Sequence, residues 1–173
     1  WDLDELVPAW KVASGEITNK NLLDAIYGTG KPAILSTGMC TEEELDRAER
    51  RLFPRVAALL QCTSQYPTPP DRVGLRAIPD RARRGFLGGW WVPAGRGPLW
   101  GGVLARGASF GESRLTSARR IWSFDAESSI TIDELGQLVQ SVRYVEAALK
   151  PLDQDEKAKS LQPMRDLFMG ANA

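Results

Sequence analysis

Apolar positions along this chain follow two rhythms. The short runs Ala9 to Ala13, Ala33 to Leu35 and Val56 to Leu60 are too brief for helices and read as buried strands. Between them the apolar residues recur at helical spacing. Asn19 or Asn21 caps a helix carrying Leu22, Leu23, Ala25 and Ile26, which Gly28 and Gly30 end and Pro32 keeps from continuing. Thr41 and Glu44 have the spacing of a capping box, and the helix behind them places Leu45, Ala48 and Leu52 on one face up to Pro54. Strand, helix, strand, helix, strand at these intervals predicts βαβ units and a parallel sheet.

The rhythm fails after residue 80. From Arg81 to Phe124 there are eight arginines and no lysine, and Glu112 is the sole acid. Nine of the sixteen glycines fall here, with Trp90, Trp91, Trp100 and Trp122, and neither a helical nor a strand period is sustained. We therefore treat 82–124 as divergent. Arginine, glycine and tryptophan enrichment without lysine is what an out-of-frame reading of a GC-rich gene produces, and the nucleotide sequence across codons 80 to 126 tests it. Order returns at Ser129. A second capping box, Thr131 and Glu134, precedes Leu135, Leu138, Val139, Val142, Val145 and Leu149 on one helix face, until Lys150-Pro151 stops it. Residues 151–173 read as a linker or frayed tail. Tyr66-Pro67-Thr68-Pro69-Pro70 is a loop, because successive prolines fit neither a ladder nor a helix interior.

Composition narrows the function classes. A length of 173 residues suits one core, so residues 1–150 are expected to form one domain. Formal net charge is zero, which gives no electrostatic case for nucleic acid or an anionic membrane. No apolar run is long enough to span a bilayer and no signal peptide is visible. Cys40 and Cys62 read as free thiols in a cytoplasmic setting. There is no histidine, so imidazole acid–base chemistry and histidine-held metal are unavailable to this chain alone. A start at Trp1 rather than Met suggests a fragment.

Each predicted strand ends in small polar residues, as parallel strands do when they deliver ligand groups at their C-terminal ends. Lys11 supplies a cation, and Ser14 and Ser36 supply hydrogen bonds, for a phosphorylated or carboxylated substrate. Lys11 lies in an apolar run and needs a partner, for which Glu16 is the nearest candidate; Glu16 is otherwise an acceptor for a sugar hydroxyl or an outer partner of a metal. Ser64 and Tyr66, two apart, share one side of an extended segment and suit sugar hydroxyls.

Lys11-Val12-Ala13-Ser14-Gly15, Leu35-Ser36-Thr37-Gly38 and Cys62-Thr63-Ser64-Gln65-Tyr66-Pro67 resemble, in order and spacing, strand-end motifs of the N-acetylneuraminate (sialic acid) synthase family, spore-coat polysaccharide synthases included. The resemblance covers residues 1 to about 80 and returns around Asp125 to Leu149. It implies part of a (β/α)8 TIM barrel. It also implies a transferase that condenses phosphoenolpyruvate with N-acetylmannosamine or a related amino sugar. The enol carbon attacks the sugar aldehyde, water adds at the carbon bearing phosphate, and phosphate leaves with a nonulosonic acid as the other product. By resemblance Lys11, Ser14 and Ser36 contact phosphoenolpyruvate and Ser64 and Tyr66 the amino sugar. A divalent metal, manganese or magnesium, polarises the aldehyde, and the enzyme is a homodimer.

The departures carry as much information. Members hold the metal with histidines from a Ser-Asp-His and a Glu-Lys-His-Phe-Thr motif. The first is absent near Trp90 to Gly97, and the second aligns with Glu112-Ser113-Arg114-Leu115-Thr116, where Arg114 takes the histidine position. Arginine has no lone pair to give a metal. The early barrel strands are expected upstream of Trp1 and a further domain beyond Ala173. The chain is therefore expected to be inactive as it stands, to expose sheet edges, and to associate or dissolve poorly. Two alternatives are a non-catalytic remnant that still binds phosphoenolpyruvate or sugar, and a basic interaction module built on the Arg/Trp stretch.

Overall fold

A computed structural model of the chain describes residues 3–65, 68–92, 97–117 and 129–170. The elements are β1 (Trp10–Val12), α1 (Lys20–Thr29), β2 (Ala33–Ser36), α2 (Glu42–Leu52), β3 (Val56–Gln61), α3 (Ala77–Arg83), β4 (Leu87–Val92), α4 (Gly97–Ala105), β5 (Phe110–Thr116), β6 (Ser129–Thr131), α5 (Ile132–Ala148), α6 (Gln154–Ser160) and α7 (Gln162–Gly170). All strand pairs are parallel, and the sheet order is the chain order, β1-β2-β3-β4-β5-β6. This is the winding of a partial (β/α)8 barrel: the parallel βαβ order is what the sequence rhythm predicts, and the barrel is what the family resemblance implies.

One contact shows that the sheet curls. In a flat sheet β1 and β5 would lie about 19 Å apart, four strand spacings. Yet Lys11 on β1 meets Glu112 on β5, Nζ to Oε2, at 3.3 Å. Register explains why those two can face each other. Lys11 pairs with Ile34, Ile34 with Ala58, Ala58 with Leu87, and Gly89 with Phe110. Paired residues in a parallel sheet point to the same side, as do residues two apart on one strand. Lys11, Ser36, Glu112 and Arg114 therefore share the concave face, and Val12, Leu35, Leu59 and Trp90 share the helix-bearing face.

Local chemistry sets the helix bounds. The Asn19 side chain accepts from the Leu22 N–H, so Asn19 is the cap of α1. Gly30 closes that helix at φ 74°, a left-handed conformation open to glycine, and its N–H donates to the Tyr27 carbonyl. Both capping boxes form: Thr41 with Glu44 starts α2, and Thr131 with Glu134 starts α5. α2 buries Leu45, Ala48 and Leu52.

Two apolar clusters fill the layer between sheet and helices. The first joins Val12, Leu35 and Leu59 to Leu23, Ile26, Leu45 and Leu52 from α1 and α2. The second joins Trp90 and Trp100, edge to face with ring centroids 5.4 Å apart, to Ile78, Val103 and Ala108.

Two sequence expectations are corrected, and a third element shows what its spacing left open. The stretch after residue 80 is not irregular: it supplies α3's end, β4, α4 and β5. Its strand alternation is hidden because glycine stands where packing leaves no room. A Cβ at Gly111 would strike the Trp100 ring, and one at Gly89 would strike the Phe110 ring and lie 2.9 Å from Leu60 Cδ2. The tail is not merely loose, since α6 and α7 form within it and Asp153 caps α6 by accepting from the Asp155 and Glu156 N–H groups. Finally, α5 buries no residue fully: Leu138 and Val142 pack on the second cluster, while Leu135, Val139 and Leu149 remain exposed. No helix among the described residues is long and apolar enough to cross a membrane.

Candidate functional site

The C-terminal ends of β1, β2 and β3, with β5 opposite, enclose a cavity of about 230 Å³. Lys11, Ser14, Ser36, Ser64, Glu112 and Arg114 line it. That is smaller than the roughly 300–1,000 Å³ of drug-sized ligand sites, and suits a small anion. Larger hollows lie elsewhere, the two most spacious of those described on the helix layer. One of about 740 Å³ runs along α4 and α5, and one of about 770 Å³ lies between α1 and α2. Neither sits at strand ends, so neither has the placement from which a barrel works.

Gly38 holds the cavity wall together. Its N–H donates to Ser14 Oγ at 3.0 Å, and its carbonyl accepts from the Ser64 N–H at 3.1 Å. A Cβ at this position would sit 2.5 Å from Ser64 Oγ and 2.8 Å from Cys62 Sγ, so only glycine lets these three loops meet. Just before it, the Thr37 N–H and hydroxyl both donate to the Leu60 carbonyl, at 3.0 and 3.1 Å, clamping the end of β2 to β3. Ser14 Oγ also lies 3.3 Å from Cys62 Sγ. Burial pushes the Cys62 thiol up, more than the Ser14 hydrogen bond lowers it. Cys62 is thus a neutral thiol at physiological pH and a poor metal ligand or nucleophile.

Two polar atoms stand out. Ser36 is 3% exposed and its Oγ, on the cavity wall, has no hydrogen-bond partner among the described residues. Glu112 Oε2 is likewise buried and accepts no hydrogen bond among them. Its approach to Lys11 is a charge pair without hydrogen-bond alignment, between side chains 38% and 36% exposed. Such a pair contributes about 0–1 kcal/mol, so it places the lysine more than it stabilises the fold.

Of the residues singled out from sequence, Lys11, Ser14, Ser36 and Ser64 come together in this cavity. Glu16 does not line it. It is exposed, accepts from Asn19 Nδ2 at 2.7 Å, and leaves Lys11 to Glu112, which corrects the expected Lys11–Glu16 pair. Tyr66 lies outside the described residues. Sequence reasoning passed over Gly38 and Glu112. The signal for Gly38 was its place between two serine-bearing loops; for Glu112, it was being the sole acid in a basic stretch, two residues before Arg114.

The described residues at the cavity are a poor donor set for a divalent ion. No group of three His, Cys, Asp or Glu comes together among the described residues. Among the described residues the cavity offers one carboxylate, already facing Lys11, with a protonated thiol and hydroxyls and no imidazole beside it.

A curled parallel sheet with this cavity at its strand ends is matched by a sequence profile described as the NeuB family, over residues 2–154. The chain belongs to the NeuB family. It is 32% identical to pseudaminic acid synthase of Campylobacter jejuni, over 94% of this chain and 51% of that protein. It is also 32% identical to human N-acetylneuraminate-9-phosphate synthase, over 83% of this chain and 41% of that protein. Among solved structures it resembles the sialic acid synthetase of Leptospira borgpetersenii, crystallised with citrate, at a TM-score of 0.78 and 27% identity, covering 92% of this chain and 59% of that one. This NeuB-family chain thus spans about half the length of the curated relatives it matches. The family match runs through the Arg/Trp stretch that the sequence rhythm had set apart.

Proposed function

We propose that this chain carries the phosphoenolpyruvate side of a nonulosonic acid synthase site, and that it does not complete the condensation alone. The observation that carries the reading is the convergence of Lys11, Ser14, Ser36 and Ser64 on one cavity at the strand ends. The parent reaction joins phosphoenolpyruvate to N-acetylmannosamine or a related amino sugar and releases phosphate. In it Lys11 holds the anionic substrate by charge, and the serine hydroxyls orient it. Ser64 faces the sugar, and Tyr66 is assigned to it by the family resemblance alone. No step is routed through a divalent ion here, because the cavity's described donors are a poor set for one. Loss of that Lewis acid is the reason turnover is not expected. The same reading brings a cytoplasmic location and a homodimeric parent protein, with residues 1–150 as the barrel part and 151–173 as the link onward.

Phosphate release from phosphoenolpyruvate and N-acetylmannosamine, with and without Mn²⁺, tests this directly. We expect no release above the buffer rate, together with calorimetric binding of phosphoenolpyruvate that is lost in Lys11→Ala. Turnover would overturn the inactivity, and binding unchanged in Lys11→Ala would overturn the substrate assignment.

A further inference from the structure

We propose that α7 of one chain docks, by its apolar stripe, in the groove between α4 and α5 of a second copy, and that two chains make this contact reciprocally. The surface lies on the helix layer, away from the strand-end cavity, and is independent of the substrate reading.

The hollow of about 740 Å³ along α4 and α5 is walled by Trp100, Leu104 and Phe110 and edged by Leu135, Val139 and Leu149. Those three residues on the α5 side are 37–54% exposed. Leu138 and Val142 of the same helix already pack on the second core, so the edge residues are what α5 has left for another element. An apolar groove of this kind, running beside a 17-residue helix, receives an amphipathic helix by its i, i+3 and i+7 side chains.

Such a helix is present in the same chain. Leu161, whose carbonyl accepts the Arg165 N–H as α7 begins, is followed by Met164, Leu167 and Phe168. At 3.6 residues per turn these four share roughly a third of the helix circumference, and they are 39–71% exposed. Placement favours a second copy over the chain's own groove. The tail leaves from the groove's end, where Lys150 and Pro151 line it, and α6 carries the chain onward. α7 packs against α6, and among the described residues none of α7 lines the groove of its own chain. A helix held clear of its own body, beside a groove of matching chemistry, is the geometry of exchange between copies. Rim charges match as well: Arg143, Glu146 and Lys150 border the groove, and Arg165 and Asp166 flank the stripe, so both signs meet their opposites. A two-fold pair makes the contact twice, which brings a nine-residue helix toward the roughly 1,200–2,000 Å² that a stable pair buries.

Sedimentation equilibrium of the full 173-residue chain tests the proposal. We expect a monomer–dimer equilibrium that Leu167→Asp and Val139→Asp each weaken by about tenfold or more, since either change spoils both contacts of its own dimer. Both positions are exposed, so urea unfolding of each variant should match the parent. An equimolar mixture of the two variants keeps one intact helix and one intact groove, and should associate more strongly than either variant alone. An unfolded variant cannot produce that result. A parent chain that stays monomeric at every concentration overturns the proposal, as it would if α7 closed on its own groove. A mixture no stronger than its components overturns it too. A dimer unmoved by either substitution overturns this contact and assigns the homodimer to another surface. Phosphoenolpyruvate binding should be equal in the parent and both variants, so failure of the substrate reading is seen separately.

Discussion

Residues 10–61 and residues 77–116 build the same architecture by different means. The first region fills its layer with Val, Leu and Ile repeated at regular intervals, strand against helix. The second fills it with two tryptophans, and keeps the opposing strand positions as glycine to admit large rings. Many interchangeable small pieces give a periodic sequence; a few large pieces with matching notches do not. The two regions also differ in how their helices are tied. α1 and α2 pack through aliphatic side chains and share one two-pronged Arg51–Asp24 pair, whereas α3 is tied to α2 by two arginines that converge on three carboxylates. Arg81, nearly buried, grips Glu42 with two hydrogen bonds of 2.6 Å, and Arg84 spans Glu42, Asp46 and Glu49 at 2.5–2.9 Å.

The largest test of this contrast is truncation in each core. Trp90→Ala should cost about 3–5 kcal/mol and Leu35→Ala about 2–5 kcal/mol, read by urea unfolding. In the double variant the losses should add to within about 0.5 kcal/mol if the cores are independent. A small effect of Trp90→Ala would show that the tryptophan cluster is not a core at all.

Glycine substitutions probe the notches next. Gly111→Ala drives a methyl into the Trp100 ring and should cost about 1–3 kcal/mol. Gly28→Ala, in α1 with open space around it, should instead stabilise by about 0.5–1 kcal/mol. Equal effects at the two sites would remove the steric account of the second region.

These glycines also explain what was legible. Parallel βα order, both capping boxes and the α2 face could be read because each rests on local spacing, whereas grouping Lys11, Ser14, Ser36 and Ser64 needed the rule that parallel strands present polar groups at their C-terminal ends and the family resemblance. β4 and β5 could not, because Gly89 and Gly111 occupy positions where a periodic strand would show an apolar residue. Lys11's true partner was likewise hidden. Glu16 is near in sequence, but Glu112 reaches Lys11 only because the sheet curls. The exposed stripe of α5 was legible as a stripe, yet spacing alone says nothing of whether anything covers it.

Smaller effects sharpen the comparison further. Thr41→Ala and Thr131→Ala each remove a capping box and should each cost about 1 kcal/mol in thermal or urea unfolding. A clearly smaller loss at Thr131 would mean that α5 adds little to cooperative stability.

The smallest effect is electrostatic. Hydrogen bonds from Arg81, with the charges of Arg81 and Arg84 behind them, hold the Glu42 carboxyl below the usual range. A depressed folded value means that the contribution is complete above the unfolded value of about 4.3 and is lost as pH falls through the folded one. Glu42 is 64% exposed, so after screening we expect under about 1 kcal/mol. Glu42→Gln should therefore flatten the stability profile below about pH 4.3 and leave its slope near neutrality unchanged. A variant with the parental acid limb would assign that limb to other carboxylates.

The Lys11–Glu112 pair has a consequence for timing. Its two residues come from near opposite ends of the sheet's chain order, so the cavity between them exists only once every intervening strand has paired. Contacts this distant in sequence form late, because the entropy of closing the long loop is lost before the contact returns anything. A ligand in the cavity therefore meets only the fully wound chain, and by mass action it raises the stability of both cores together. In a refolding experiment, the recovery of ligand binding should lag the recovery of helical signal, and the cavity would serve as a clock for the completion of the sheet.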